Sequence, residues 1–154
     1  MRIVAALGAV LLCCAVADAA ELPDDWRPVA AGDLSLMAPP GTAAVLAQSP
    51  GVRTWTVRAA QMRVVIRSGP TVGDGDDSEP RVCYAAERIV VDGRAAALRV
   101  ARENPRLDCP ENYASLYIAT PRAGGSAIYV SAQAADRNAL AALRPMLATL
   151  HISN

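Results

Sequence analysis

Between Arg53 and Ser68 the chain alternates apolar and polar residues with a period of two. Trp55, Val57 and Ala59 alternate with Thr54, Thr56 and Arg58; Met62, Val64 and Ile66 then alternate with Arg63, Val65 and Arg67. Successive side chains of a strand point to opposite faces, so two adjacent runs of this kind predict a β-hairpin with one buried face. Ala60-Gln61 would form the tip, although neither residue favours the left-handed backbone of a primed turn, so a longer tip is also open. Trp55, Val57, Met62, Val64 and Ile66 are expected in the core, and Arg58, Arg63 and Arg67 on the opposite face. With a tight tip, Arg58 and Arg63 lie nearly opposite each other, and like charges opposed across a sheet destabilise it. They need nearby carboxylates, such as Glu87 or loop acids, or else a bound anion. The three arginines are therefore the candidate anion or partner contacts.

The same pattern recurs on both sides of this hairpin. Asp33 to Ala38 alternates and stops at Pro39-Pro40-Gly41, a strand ended by residues that cannot continue a ladder. A second hairpin runs through Arg88-Ile89-Val90-Val91, turns at Asp92-Gly93 and leaves through Ala97-Leu98-Arg99-Val100. A third reads Tyr113 to Thr120, a break at Pro121 to Gly125, then Ser126 to Ala132. After it the period changes: Leu140, Leu143, Leu147 and Leu150 fall at helical spacing behind Asp136, a good N-cap. Pro145 interrupts this stripe, which predicts either a kink or a helix beginning only near Leu143. His151-Ile152 would add a short last strand. The fold class expected is α+β: an antiparallel sheet built from hairpins, with a C-terminal helix packed on it.

The ends and the composition set the compartment. Arg2, an apolar stretch from Ile3 to Cys14 and the small residues of Ala17-Asp18-Ala19 have the layout of a cleavable signal peptide over residues 1–19, with cleavage after Ala20 as the alternative. The apolar stretch is shorter than the ~20 residues that span a bilayer, so no stable membrane anchor is expected. Lipidation at Cys13 or Cys14 would want a small preceding residue, and Leu12 or Cys13 stands there. Residues 20–33 read as a proline-broken lead-in whose Trp26 docks on a single α+β domain of residues 34–154. Cys83 and Cys109 remain after cleavage, and an even pair in an exported chain predicts a disulfide, worth about 3.5 kcal/mol for this loop length. All fifteen basic residues are Arg, with no Lys and no Phe, the mark of a GC-rich bacterial coding bias. The formal net charge of +0 argues against a general nucleic-acid binder, which needs surplus positive charge.

The opener Leu34-Ser35-Leu36-Met37-Ala38-Pro39-Pro40-Gly41 and the closer Pro145-Met146-Leu147-Ala148-Thr149-Leu150-His151-Ile152 resemble the ends of exported bacterial PsbP/Mog1-like domains. Those open with an apolar strand into Pro-Pro-Gly and close with a helix leading to a last strand. Thr42 follows here, where family members usually carry an aromatic. The resemblance implies a binding or assembly accessory without catalysis, and it carries over no site residues.

Catalytic and metal chemistry find little support in the residues. His151, the single histidine, has no Gly-x-Ser-x-Gly elbow before it and reads as a strand-end residue. Asp74, Asp76 and Asp77 sit with Gly75 like the first half of a calcium loop, but the position that needs a bidentate glutamate is Ala85, so a solvated acidic loop is expected and no metal. Glu87, Glu103, Asp108 and Glu111 could supply a carboxylate pair, yet spacing singles out none. The reading is an exported domain, periplasmic or secreted, that binds a protein or cell-envelope partner without cofactor or catalysis. The alternative is a small periplasmic hydrolase using unidentified carboxylates. Mass spectrometry of the exported protein should give a mature chain beginning at Ala20 or Glu21; an intact Met1 or a lipidated cysteine would overturn the signal-peptide reading.

Overall fold

The computed structural model describes residues 22–73, 81–102, 109, 111–119 and 126–153. The expected signal peptide of residues 1–19 and the acidic stretch Asp74 to Glu79 lie outside the described residues. Trp26 is buried, as expected of a docking aromatic. The lead-in then does more than dock, because Arg27–Ala31 forms strand β1 and pairs antiparallel with β2 (Leu34–Ala38). β1 is an edge strand, which is where Pro28 can be accommodated without breaking a ladder. The turn between them holds Gly32 at φ 68°. A Cβ there would sit 2.7 Å from Cζ2 of Trp55, so the indole packs directly on the glycine backbone.

After Pro39-Pro40-Gly41 the chain forms β3 (Ala43–Ser49), β4 (Val52–Ala59) and β5 (Met62–Gly69). β3 was not foreseen from the pattern, because it is an edge strand with both faces largely exposed and no alternation to reveal it. The tip of the β4–β5 hairpin is the short one: Ala59 pairs with Met62, leaving only Ala60 and Gln61 in the turn. Neither adopts positive φ. The Gln61 carbonyl is held by the Ala135 backbone N–H at 2.8 Å, a tertiary support that a local turn rule does not contain.

The second hairpin is β6 (Tyr84–Val91) and β7 (Arg94–Ala101), joined at Asp92-Gly93 with both residues at positive φ. The third is β8 (Tyr113–Ile118) and β9 (Ala127–Ala134). β5 pairs with β9, which merges the strands β3 to β9 into one antiparallel sheet in the order β3-β4-β5-β9-β8-β7-β6. The last elements are helix α1 (Arg137–Ala148) and β10 (His151–Ile152), the latter pairing with β2 to complete a three-stranded sheet β1-β2-β10. The α+β layout of hairpins and a C-terminal helix is therefore the observed one.

The helix starts at Arg137, not near Leu143. Asp136 caps it, its carboxylate accepting from the Ala139 N–H at 2.8 Å, and a cap of this kind stabilises the first turn by about 1 kcal/mol. Pro145 is inside the helix. Its missing N–H leaves the Ala141 carbonyl without its helical donor, and Ala141 is on the exposed side, where water can serve. Leu143, Met146 and Leu147 enter the core, together with Trp55, Val57, Val64 and Ile66 of the large sheet and Leu34 and Leu36 of the small one. The helix and the small sheet thus share one core against one face of the seven-stranded sheet.

Gly32→Ala should lower stability by about 2–4 kcal/mol, from left-handed backbone strain plus displacement of Trp55. Gly41→Ala, also at positive φ but with nothing within 4 Å of the added carbon, should cost only about 1 kcal/mol. Urea unfolding of the two variants checks this, and equal losses would remove the Trp55 contact from the explanation.

Candidate functional site

The alternation that buries one face of the large sheet fixes what the other face carries. Arg58 and Arg63 are directly paired across β4 and β5, and Arg67 lies four residues further along β5, opposite Thr54. All three are exposed. The registers of the remaining strands add Arg99, opposite Ser115, and Arg88, opposite Ala97, to the same face. Glu87 is the single carboxylate in any strand of this sheet, and it points to the other side, where its Oε1 accepts from Arg144 of α1 at 2.8 Å. The outer face therefore presents five arginines and no strand carboxylate. None of the five has an ion-pair partner among the described residues. The expected pairing of the arginines with Glu87 is not what the structure shows, and the loop acids, the other expected partners, lie outside the described residues.

Opposed arginines cost something, and the magnitude decides how to read them. Two unit charges about 5 Å apart repel by about 1 kcal/mol in bulk water, and less once the side chains splay and salt screens them. An open face can tolerate that. A buried one could not, since an unpaired buried cation costs several kcal/mol. The arrangement is stable because water reaches it, and water is what an anion would replace.

All four tyrosines of the chain share this face: Tyr84, Tyr113, Tyr117 and Tyr129. Tyr113 pairs with Gln133 and Tyr129 with Tyr117, leaving the Ser115–Ser131 pair between them. The Tyr113 and Tyr129 hydroxyls meet at 2.8 Å, bridging that serine row. Ser115 beneath is only 4% exposed. Tyr84 reaches Tyr113 edge-on, ring centres 5.9 Å apart, across the small Ala101 of the strand between them.

Arg67, Thr54, Tyr113, Tyr129 and Ser131, with the Thr71–Gly73 segment as a wall, enclose an open cavity of about 680 Å3. This lies within the roughly 300–1,000 Å3 of small-molecule sites. A second groove, of about 610 Å3, runs on the helix side beside the Glu87–Arg144 pair.

The other candidates fall elsewhere. Cys83 and Cys109 are joined in a disulfide with Cα atoms 5.4 Å apart. It sits at the start of β6, where the Cys83 carbonyl also accepts from the Arg102 N–H. His151 is exposed, and its Nδ1 lies 2.8 Å from Oδ1 of Asp92. Oδ2 of Asp92 accepts from the Ile152 N–H at 3.1 Å. Asp92 thus ties the β6–β7 turn to β10 as a clasp. Asp74, Asp76, Asp77, Glu103 and Asp108 lie outside the described residues; among those described, no three His, Cys, Asp or Glu side chains cluster for a metal. No helix among the described residues is long and apolar enough to cross a membrane.

Sequence reasoning found three of the five arginines and none of the tyrosines. The signal was present: Tyr113, Ser115 and Tyr117 alternate with Ala114, Leu116 and Ile118, and Tyr129, Ser131 and Gln133 alternate with Val130 and Ala132. What was missing was the sheet order that puts these strands beside β5. No protein-family model and no curated protein sequence matches the chain.

The hydrogen bond from His151, then that from the Ile152 N–H, holds the Asp92 carboxyl below its ordinary value. A carboxyl with a lowered folded-state pKa stabilises the fold fully above its unfolded pKa, and that contribution disappears as the pH falls through the folded value. Asp92→Asn keeps an acceptor and tolerates the left-handed backbone, so it should flatten the acid side of the stability profile. Thermal unfolding from pH 6 down to pH 3 should show a smaller loss of Tm in the variant than in wild type; parallel curves would remove the clasp from the acid response.

Proposed function

We propose that this protein is an exported binding domain that attaches to an anionic cell-envelope or protein partner through the outer face of its large sheet. One observation carries the reading: five arginines share a solvent-open face that has no carboxylate of its own in any strand. Charge-complementary faces of this kind chiefly raise association rates and select partners. The net charge of zero is no obstacle, because the sheet segregates its charges. The acids of the described residues lie in turns and loops, at the helix cap and on the helix side, so that among the described residues the charge of this face is positive.

The disulfide fits an oxidising compartment, where such bonds form and persist, and the amino-terminal signal layout agrees with it. The likeness of the first and last elements to PsbP/Mog1-like domains points the same way, toward an accessory that binds rather than transforms. Against the hydrolase alternative stands the position of Glu87, engaged by Arg144 on the opposite side of the sheet from the open face.

Retention of the mature protein by an envelope fraction, measured against salt, tests the proposal. Attachment should fall steeply between 50 and 300 mM salt, and Arg63→Ala should weaken it several-fold further, because charge-driven contacts are screened over about 10 Å at 0.1 M. The same substitution removes a like-charge opposition, so thermal stability should be unchanged or slightly raised. Salt-independent retention that Arg63→Ala leaves intact would reduce the arginines to a structural role.

A further inference from the structure

The geometry points to a linear acidic polysaccharide as the ligand of the outer face, with the Arg67 cavity as the subsite for one acid-bearing sugar. This rests on the binding-face reading above and names its chemistry. Three features select the ligand. Among the described residues the cavity holds one guanidinium, that of Arg67, with hydroxyls from Ser49, Thr54, Thr71, Ser131 and the two bridged tyrosines. A single cation set among neutral hydroxyls matches a ligand with one acid among many hydroxyl groups. An arginine fork suits a planar carboxylate or a phosphate bidentately.

The second feature is spacing. The next positive charge along the face is the Arg63–Arg58 pair, four residues back on β5, or about 13 Å at strand rise. A chain leaving the cavity along the strand meets Val65, Thr56 and Ser131 before it reaches that second cationic pair. Sparse charge separated by uncharged surface fits a sugar polymer with intermittent acids. A nucleic-acid strand carries charge far more densely, a phosphate at each ~3.4 Å of duplex rise per strand.

The third feature is the state of the aromatic rings. Single-strand nucleic-acid binders offer separate ring faces on which successive bases stack. Here Tyr113 is met edge-on by Tyr84, and its hydroxyl is locked to that of Tyr129. The tyrosines form a fixed wall with polar tips, suited to the side of a sugar ring more than to intercalation between bases.

Calorimetry on the mature, disulfide-bonded protein tests the assignment with five probes: a hyaluronan hexasaccharide, glucose 6-phosphate, inorganic phosphate, a neutral N-acetylglucosamine hexamer, and a single-stranded thymidine oligonucleotide of matched charge. Binding of the hyaluronan fragment assigns carboxylate-bearing sugars, and binding of glucose 6-phosphate well above inorganic phosphate assigns phosphate-bearing ones. Either acidic sugar should bind at least ten-fold more tightly than the neutral hexamer. Arg67→Gln should weaken it at least ten-fold and Thr54→Val a few-fold, while Arg144→Gln on the helix side should change it less than two-fold; circular dichroism confirms that each variant is folded. Tighter binding of the oligonucleotide, equal binding of the neutral hexamer, or indifference to Arg67→Gln in a folded protein would overturn the proposal. If envelope retention still depends on Arg63 while neither acidic sugar binds, the binding face stands and the saccharide falls.

Discussion

Among the described residues, one helix and a three-stranded sheet lie over the seven-stranded sheet, and they cover one side of it. The other features of the molecule follow from this one-sided packing. Trp55, Val57, Val64 and Ile66 must all point toward α1 and β2, where Leu143, Met146, Leu147, Leu34 and Leu36 meet them in a single core. The intervening positions must then be residues that water accepts. A one-residue slip in register would exchange the two sets, placing Arg58, Arg63 and Arg67 in the core at a cost of several kcal/mol each. The register is therefore fixed by the cost of its alternative as much as by the core it forms.

The small sheet is held to the large one at a few specific places. The Trp55 ring lies on the backbone of Gly32, while Arg53 stacks over the same ring and pairs with Asp33 at 3.1 Å. At the other end, the Met37 N–H donates to the Thr149 hydroxyl just past the helix, and Asp92 receives His151 and the Ile152 N–H. The first strands and the last strand are thus fastened to the hairpins between them. This leaves the outer face as a platform whose side chains are positioned by strands rather than loops, so its charges keep a fixed pattern for a complementary partner.

Much of this was legible in the sequence because the relevant forces are local. Period-two alternation in Trp55 to Ile66 named the buried face of the central hairpin and placed three arginines opposite it. Asp92-Gly93 named a turn, Asp136 named a helix start, and two cysteines left after signal removal named a disulfide. The missed parts depended on contacts between distant segments. β1 and β3 are edge strands, so Pro28 and the exposed Val45 and Leu46 give no burial pattern to read. Pro145 looked like a barrier to the helix, although it falls where a lost hydrogen bond can be replaced by water. Arg88, Arg99 and the four tyrosines were visible as alternating residues, but only the β5–β9 pairing brings them onto the same sheet face as Arg67.

The central claim is that the open sheet face, and not the helix side, is where the protein is bound in its envelope. Tyrosine is oxidised readily by hydroxyl radicals, and all four tyrosines lie on the claimed face, so radical footprinting reads that face directly. Comparing the protein free in solution with the protein bound to an envelope fraction should show protection of Tyr84, Tyr113, Tyr117 and Tyr129. Leu140, Pro145 and His151, on the other side, should keep their reactivity. Protection of the helix-side residues with the tyrosines unchanged would contradict the account.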